Sequence, residues 1–294
     1  MSAPVPERSH RLPHRTVPSA LRPGPAPPRP AAARALTPAG DPDGLLLPRG
    51  IDRLLHQQDR QYGHDRWAVL LVHQALGGAA GPDGTLQHIM YGLPPRRCQV
   101  VSFKAPSAEE LDHDFLWRSL RALPRHGRAG TFTRTYYEDV LIVKVCPALL
   151  AAAKVPCSLF GKHVWDERYE DIRAVEGHLA RNGTAVRRFF RQVSHGAQRH
   201  RFLERLNTPA ALWPFDLADL RTRDRWGDYM RAYEEAIHET AADAAPGAAV
   251  PADEKWFTRL VVAAVVVHAL QRLGERDSTG RNALAAAREA YSRG

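Results

Sequence analysis

The sequence predicts an α/β protein, a three-layer sandwich with a central parallel sheet covered by helices on both faces. Short apolar runs rich in strand formers alternate with helical patterns of roughly 10–15 residues, the signature of βαβ units. The first such run passes directly into a glycine-rich turn. An apolar content of 44% over 294 residues is enough for a substantial core.

In chain order, residues 1–48 hold twelve of the 23 prolines, with Ala and Arg between them. Such a composition cannot bury a core, so residues 1–44 are expected to be a disordered tail. The folded domain is expected over 45–274, followed by a C-terminal tail at 275–294 with one weak alanine-rich helix. Trp67 to Thr85 reads WAVLLVHQALGGAAGPDGT. Ala68–Val72 predicts a strand, and a helical pattern resumes at Thr85 through Leu86, Ile89 and Met90. Strand, glycine loop and helix make a phosphate-binding layout, in which N–H groups around Gly81, Gly84 and Thr85 face an anion. The full signature, G-x-x-x-x-G-K-[ST], needs a lysine where Pro82 stands, and Pro82 also removes one N–H.

Cys98–Phe103 predicts the second strand, ended by Lys104-Ala105-Pro106. Ser107 and Glu110 form a capping box opening one helix with an apolar face of Leu111, Phe115, Leu116, Leu120 and Leu123, stopped by Pro124. A strand follows over Gly127–Thr133. Cys98 and Cys146 fall in apolar, strand-like stretches and read as buried thiols. Asp166 opens a helix through Tyr169, Ile172, Val175 and Leu179, closed by Asn182-Gly183. Thr184–Phe190 reads as a strand, and Ser194–Leu206 as a basic helix carrying Arg199, Arg201 and Arg205. A helix around Tyr229–Ile237 and a strand end at Val250-Pro251 follow. Asp253 then caps a long apolar helix to Leu273.

The net charge of +9 and pI near 9.8 favour anionic partners. Part of that charge lies in the tail, where seven arginines over residues 1–50 face only Glu7, Asp41 and Asp43. Nucleic acid is not the expected partner, because the aromatic residues form no stacking platform and only net charge supports it. Three cysteines at spacings matching neither a zinc nor a disulfide framework suit a reducing cytoplasm. Leu260–Leu270 is too short an apolar run to span a bilayer and reads as a buried helix, so no membrane association is expected. His195 and His200 lack cysteine or carboxylate companions at metal spacing.

Taken in this order, the chain resembles the polyphosphate kinase 2 family. The resemblance is carried by residues 98–145 (CQVVSFKAPSAEELDHDFLWRSLRALPRHGRAGTFTRTYYEDVLIVKV), 165–186 (WDERYEDIRAVEGHLARNGTAV), 202–206 (FLERL) and 250–260 (VPADEKWFTRL). It implies a thymidylate-kinase-like P-loop fold with a helical lid at about 195–230, dependence on Mg²⁺, and a homo-oligomer. The implied activity is phosphoryl transfer between inorganic polyphosphate and a nucleoside mono- or diphosphate. By the same resemblance Lys104, Arg118, Arg128, Arg134, Arg201 and Arg205 match basic positions facing polyphosphate or nucleotide. Asp83, Arg134 and Glu138 match catalytic positions, with Asp83 and Glu138 as Mg²⁺ ligands or as groups hydrogen-bonded to the ligands around the ion. From the residues themselves, Lys104, Arg134 and Glu138 gain support by following buried strands at their carboxyl ends. Glu138 reads alternatively as the ion-pair partner of an arginine. Arg201 and Arg205, spaced i,i+4 beside Glu204, read equally as a solvated face, and Arg128 as plain surface.

The chain departs from the family at the centre of this chemistry. The loop G-x-D-A-A-G-K-D-G-T has Gly78 at the aspartate and Pro82 at the lysine. The element F-[DN]-R-S reads Phe132-Thr133-Arg134-Thr135, so Thr133 occupies a second metal-shell position. These changes imply an impaired phosphotransferase, or an inactive pseudokinase that binds polyphosphate, nucleotide or a partner subunit.

Overall fold

The structure, a computed structural model, describes residues 46–76, 97–207, 222–276 and 289. Its described strands are β1 (Ala68–Ala75), β2 (Cys98–Ser102), β3 (Ala129–Thr133), β4 (Thr184–Gln192) and β5 (Gly247–Pro251). They form one sheet in the order β2-β3-β1-β4-β5, every neighbouring pair parallel. β1 takes the centre because its side chains are apolar on both faces, as a strand covered on both sides requires. Ala68 to Val72 are at most 1% exposed.

The described helices are α1 (Leu46–His64), α2 (Ala108–Leu111), α3 (Trp117–Arg121), α4 (Glu138–Val145), α5 (Ala148–Ala151), α6 (Val164–Arg181), α7 (His195–Leu206), α8 (Trp226–Glu239) and α9 (Lys255–Arg276). Leu70 and Val72 of β1 point to one side, into a core shared with Leu141 of α4, Ile172 of α6 and Tyr233 of α8. Val69 and Leu71 point to the other, against Leu54 of α1 and Val262, Val266 and Leu270 of α9. Each such side chain contributes about 1.5–3 kcal/mol on burial. The three layers are those the alternating pattern predicts. α9 is long and apolar enough to cross a membrane by composition, yet its Val262, Val266, Leu270 and Leu273 are packed into this second core.

Several local expectations are corrected. The single helix expected over 107–123 is two short ones. The capping box forms as expected, with Glu110 N–H donating to Ser107 Oγ at 3.2 Å and Ser107 N–H to Glu110 Oε2 at 2.8 Å. The helix then stops at Asp112, and Asp114 Oδ1 accepts from Leu116 N–H at 2.9 Å, offering that donor a partner other than a helical carbonyl. Cys146 ends helix α4 instead of lying in a strand: Val140, Leu141 and Val145 are buried there, and packing overrides their strand preference. Gly127 precedes β3 with φ +74, where a Cβ would stand 2.5 Å from Asp65 Oδ1. Asp253 is engaged elsewhere than as a cap of α9, its Oδ1 accepting from Ser194 N–H at 2.6 Å.

Candidate active site

The topology places a crevice at the carboxyl ends of β1 and β3. After β1 the chain leaves for the far edge strand β2, whereas after β3 it crosses to β4 on the other side of β1. Open α/β sheets bind ligands where strand order reverses in this way. β1 delivers Gln74, β2 delivers Phe103 and Lys104, and β3 delivers Thr133, Arg134 and Thr135 just before α4 begins at Glu138.

Arg118, on α3, is drawn to this rim by three contacts. Its Nη1 donates to the Lys104 carbonyl at 2.9 Å, lies 3.9 Å from Glu110 Oε2, and its guanidinium sits 5.2 Å from the Phe103 ring centroid. The capping box that orients Glu110 therefore also helps set Arg118. Arg134 is exposed and takes φ +53, a left-handed conformation that a non-glycine residue adopts at some cost. Glu138 is half-buried. Burial pushes its carboxyl pKa up, while Arg134, Arg118 and the Gln74 amide pull it down and Asp139 pushes it up further. Asp139 is pushed up to about 6 by burial, against the fields of Arg168 and Arg118. Arg168 Nη1 lies 3.6 Å from Asp139 Oδ1 and donates to the Asp139 carbonyl at 2.9 Å. The rim thus brings Arg118 and Arg134 to Glu138, with the Lys104 backbone held by Arg118.

Other predicted residues stand elsewhere. Arg128 precedes β3, and its carbonyl accepts from Val69 N–H at 3.1 Å, so it lies at the amino end of the sheet, away from the rim. Arg201 is on α7, but its Nη2 donates to the carbonyls of Ala252 and, at 3.0 Å, Asp253; it ties α7 to the turn before α9. Arg205 lies one turn further along the same helix. Thr133, the last residue of β3, pairs with His73 of β1 and with Ser102, the last residue of β2. Gly78, Gly81, Pro82, Asp83, Gly84 and Thr85 lie outside the described residues. Among the described residues no three metal-ligating side chains gather.

Sequence reasoning overlooked Gln74, Asp139, Arg168 and Tyr233. Gln74 is 1% exposed and accepts from Thr135 Oγ1 at 3.1 Å. Its signal was available, since a polar residue ending an apolar strand has to be buried for a reason. Tyr233 on α8 stands near Gln74 and Glu138, and Arg168 on α6 beside Asp139, on helix faces that sequence alone cannot aim at the rim.

An all-parallel sheet in this order, with arginines and a carboxylate at its reversal point, defines a protein of the P-loop kinase fold. A sequence profile of the polyphosphate kinase 2 family matches residues 49–278, and the chain belongs to that family. It is 48% identical over 229 residues to the ADP-polyphosphate phosphotransferase of Rhodopseudomonas palustris, covering 78% of this chain and 79% of the relative. It is 38% identical over 228 residues to the AMP/ADP-polyphosphate phosphotransferase of Meiothermus ruber, covering 78% and 80%. The crystal structure of polyphosphate kinase 2 from Arthrobacter aurescens TC1 superposes with a TM-score of 0.71 at 31% identity, over 82% of this chain and 84% of that one.

Proposed function

We propose that this protein binds inorganic polyphosphate and a nucleoside mono- or diphosphate at the rim and transfers a phosphoryl group between them, with turnover well below that of its relatives. One P–O bond of the chain breaks, and one forms to the terminal phosphate oxygen of the nucleotide. Such transfer depends on positioning and on neutralising charge over the migrating group. The observation that carries the reading is the convergence of Arg118, Arg134 and Glu138 at the strand-order reversal, in a chain whose relatives are named for this chemistry.

Lys104, Arg118 and Arg134 supply cations for the phosphates, and Gly81, Gly84 and Thr85 supply loop N–H groups. Mg²⁺ is commonly held by one or two carboxylates completed by substrate phosphates; Glu138, half-buried beside Arg134 and Arg118, would be one of them, with Asp83, outside the described residues, as the expected second. When bound, the ion neutralises phosphate charge. Reduced turnover follows from Pro82, Gly78 and Thr133, since each lost transition-state contact costs on the order of 10²–10³-fold. Those same three replacements favour a second reading, a protein that binds these ligands without turnover.

Purified protein with Mg²⁺, long-chain polyphosphate and ADP or AMP, followed for ATP or ADP formation, tests this. Weak turnover above a no-enzyme control, raised at least about tenfold by Gly78→Asp with Pro82→Lys, is expected. No turnover in either protein, with both ligands still bound, would leave the binding-only reading. Relative-like turnover in the unaltered chain would refute the impairment.

A further inference from the structure

We infer that Glu176 and Arg188 are positioning residues which, through Tyr136 and Tyr137, hold Arg134 and Glu138 in the arrangement that meets the ligand. The inference rests on the reading of the rim as a phosphate-ligand site. Glu176 on α6 is 0% exposed and Arg188 on β4 is 2% exposed. Arg188 Nη1 lies 3.4 Å from Glu176 Oε2. Tyr136 Oη donates to Glu176 Oε1 at 2.9 Å, and Tyr137 Oη lies 3.0 Å from the same oxygen. Tyr137 Oη also accepts from Arg188 Nη1 at 2.6 Å and lies 3.1 Å from Thr240 Oγ1, just past the end of α8. Arg188 Nη1 reaches the Thr240 carbonyl at 2.9 Å. One polar cluster therefore ties α6, β4 and the end of α8 to Tyr136 and Tyr137, two of the three residues between Arg134 and Glu138.

Stability alone does not account for the cluster. A buried ion pair gains little over well-packed apolar side chains, because desolvating two charges offsets their attraction. Arg134 supplies a reason for it. Its left-handed backbone persists only if the surroundings dictate it. The next three residues are all fixed: Thr135 Oγ1 donates to Gln74 and accepts from Tyr137 N–H at 3.1 Å, and both tyrosine hydroxyls end in the cluster. Clamped on that side, the turn holds Arg134 out toward the crevice and starts α4 at Glu138.

Tyr137→Phe removes one hydroxyl and keeps the ring. Val266→Ala, in the core on the opposite face of the sheet, serves as a control for destabilisation without contact to the cluster. Thermal unfolding and calorimetric titration with ADP and with polyphosphate are measured for both and for the unaltered protein. Both variants are expected to melt lower, with only Tyr137→Phe losing about tenfold or more in affinity. Thr240→Val, a milder lesion of the same cluster, should lose affinity in the same direction and covers the case in which Tyr137→Phe does not fold. Unchanged affinity in the cluster variants, or an equal loss in Val266→Ala, would overturn the inference. Failure of the unaltered protein to bind either ligand would overturn the site reading, and this inference with it.

Discussion

Replacing His73 by Phe should stabilise the protein, and more strongly in mild acid. His73 lies on β1, 1% exposed, with neither ring nitrogen hydrogen-bonded among the described residues. Its ring stacks on Phe189 at 4.7 Å and 12°, a geometry a phenyl ring can keep. A buried polar group without a partner costs about 1–3 kcal/mol. Setting about 1 kcal/mol against the extra bulk of Phe leaves a net gain of about 0–2 kcal/mol. At roughly 2–4 °C per kcal/mol for a domain of this size, the melting temperature near neutral pH should rise by up to about 8 °C. Burial, aided by Arg191, holds the His73 pKa well below its ordinary 6.5. The unfolded chain therefore takes up a proton below about pH 6.5 that the folded chain refuses, and stability falls as pH drops, by up to about 1.4 kcal/mol per unit. His73→Phe removes that loss. Thermal melts of both proteins at about pH 7.5 and 5.5 should show a gap that widens in acid. A variant that melts lower at both values, or a gap independent of pH, would refute the reasoning.

Two further outcomes follow from where the basic residues stand. Arg134→Ala should weaken polyphosphate binding about 10–100-fold and flatten its salt dependence, whereas Arg128→Ala, at the far end of the sheet, should stay within about twofold; equal effects in a titration across a salt series would contradict the assignment of the rim. Arg201→Ala should speed amide hydrogen exchange over 195–206 by releasing the carbonyls of Ala252 and Asp253, with the salt slope of binding kept; the reverse pattern would make Arg201 a ligand contact.

Much of the frame was legible in the sequence. Apolar runs such as Ala68–Val72 and amphipathic helices such as 164–181 are local patterns, and the period of a pattern fixes the element. The order of βαβ units likewise implied a parallel sheet. What failed was also local in origin: Asp114 drawing off one backbone donor split the expected helix at 107–123, and packing turned the strand-like run ending at Cys146 into a helix. Arg134 and Glu138 follow the buried strand β3 as the sequence implied, whereas Lys104 follows β2, an edge strand that is largely exposed and not the buried strand expected. Gln74, Tyr233 and Asp139 were overlooked because their place at the rim depends on distant elements.

By itself the sequence determined most of the strands and helices, the family and the cationic supply. Only the tertiary structure decided that Arg118 and Arg134 face Glu138, that Arg128 stands at the opposite end of the sheet, that Arg201 ties helix to turn, and that Glu176 meets Arg188 beneath the two tyrosines. The division has one physical cause. Periodicity and capping act over a few residues and are written locally, whereas the direction of a charged side chain is fixed by chain segments tens of residues away, brought alongside only when the core closes.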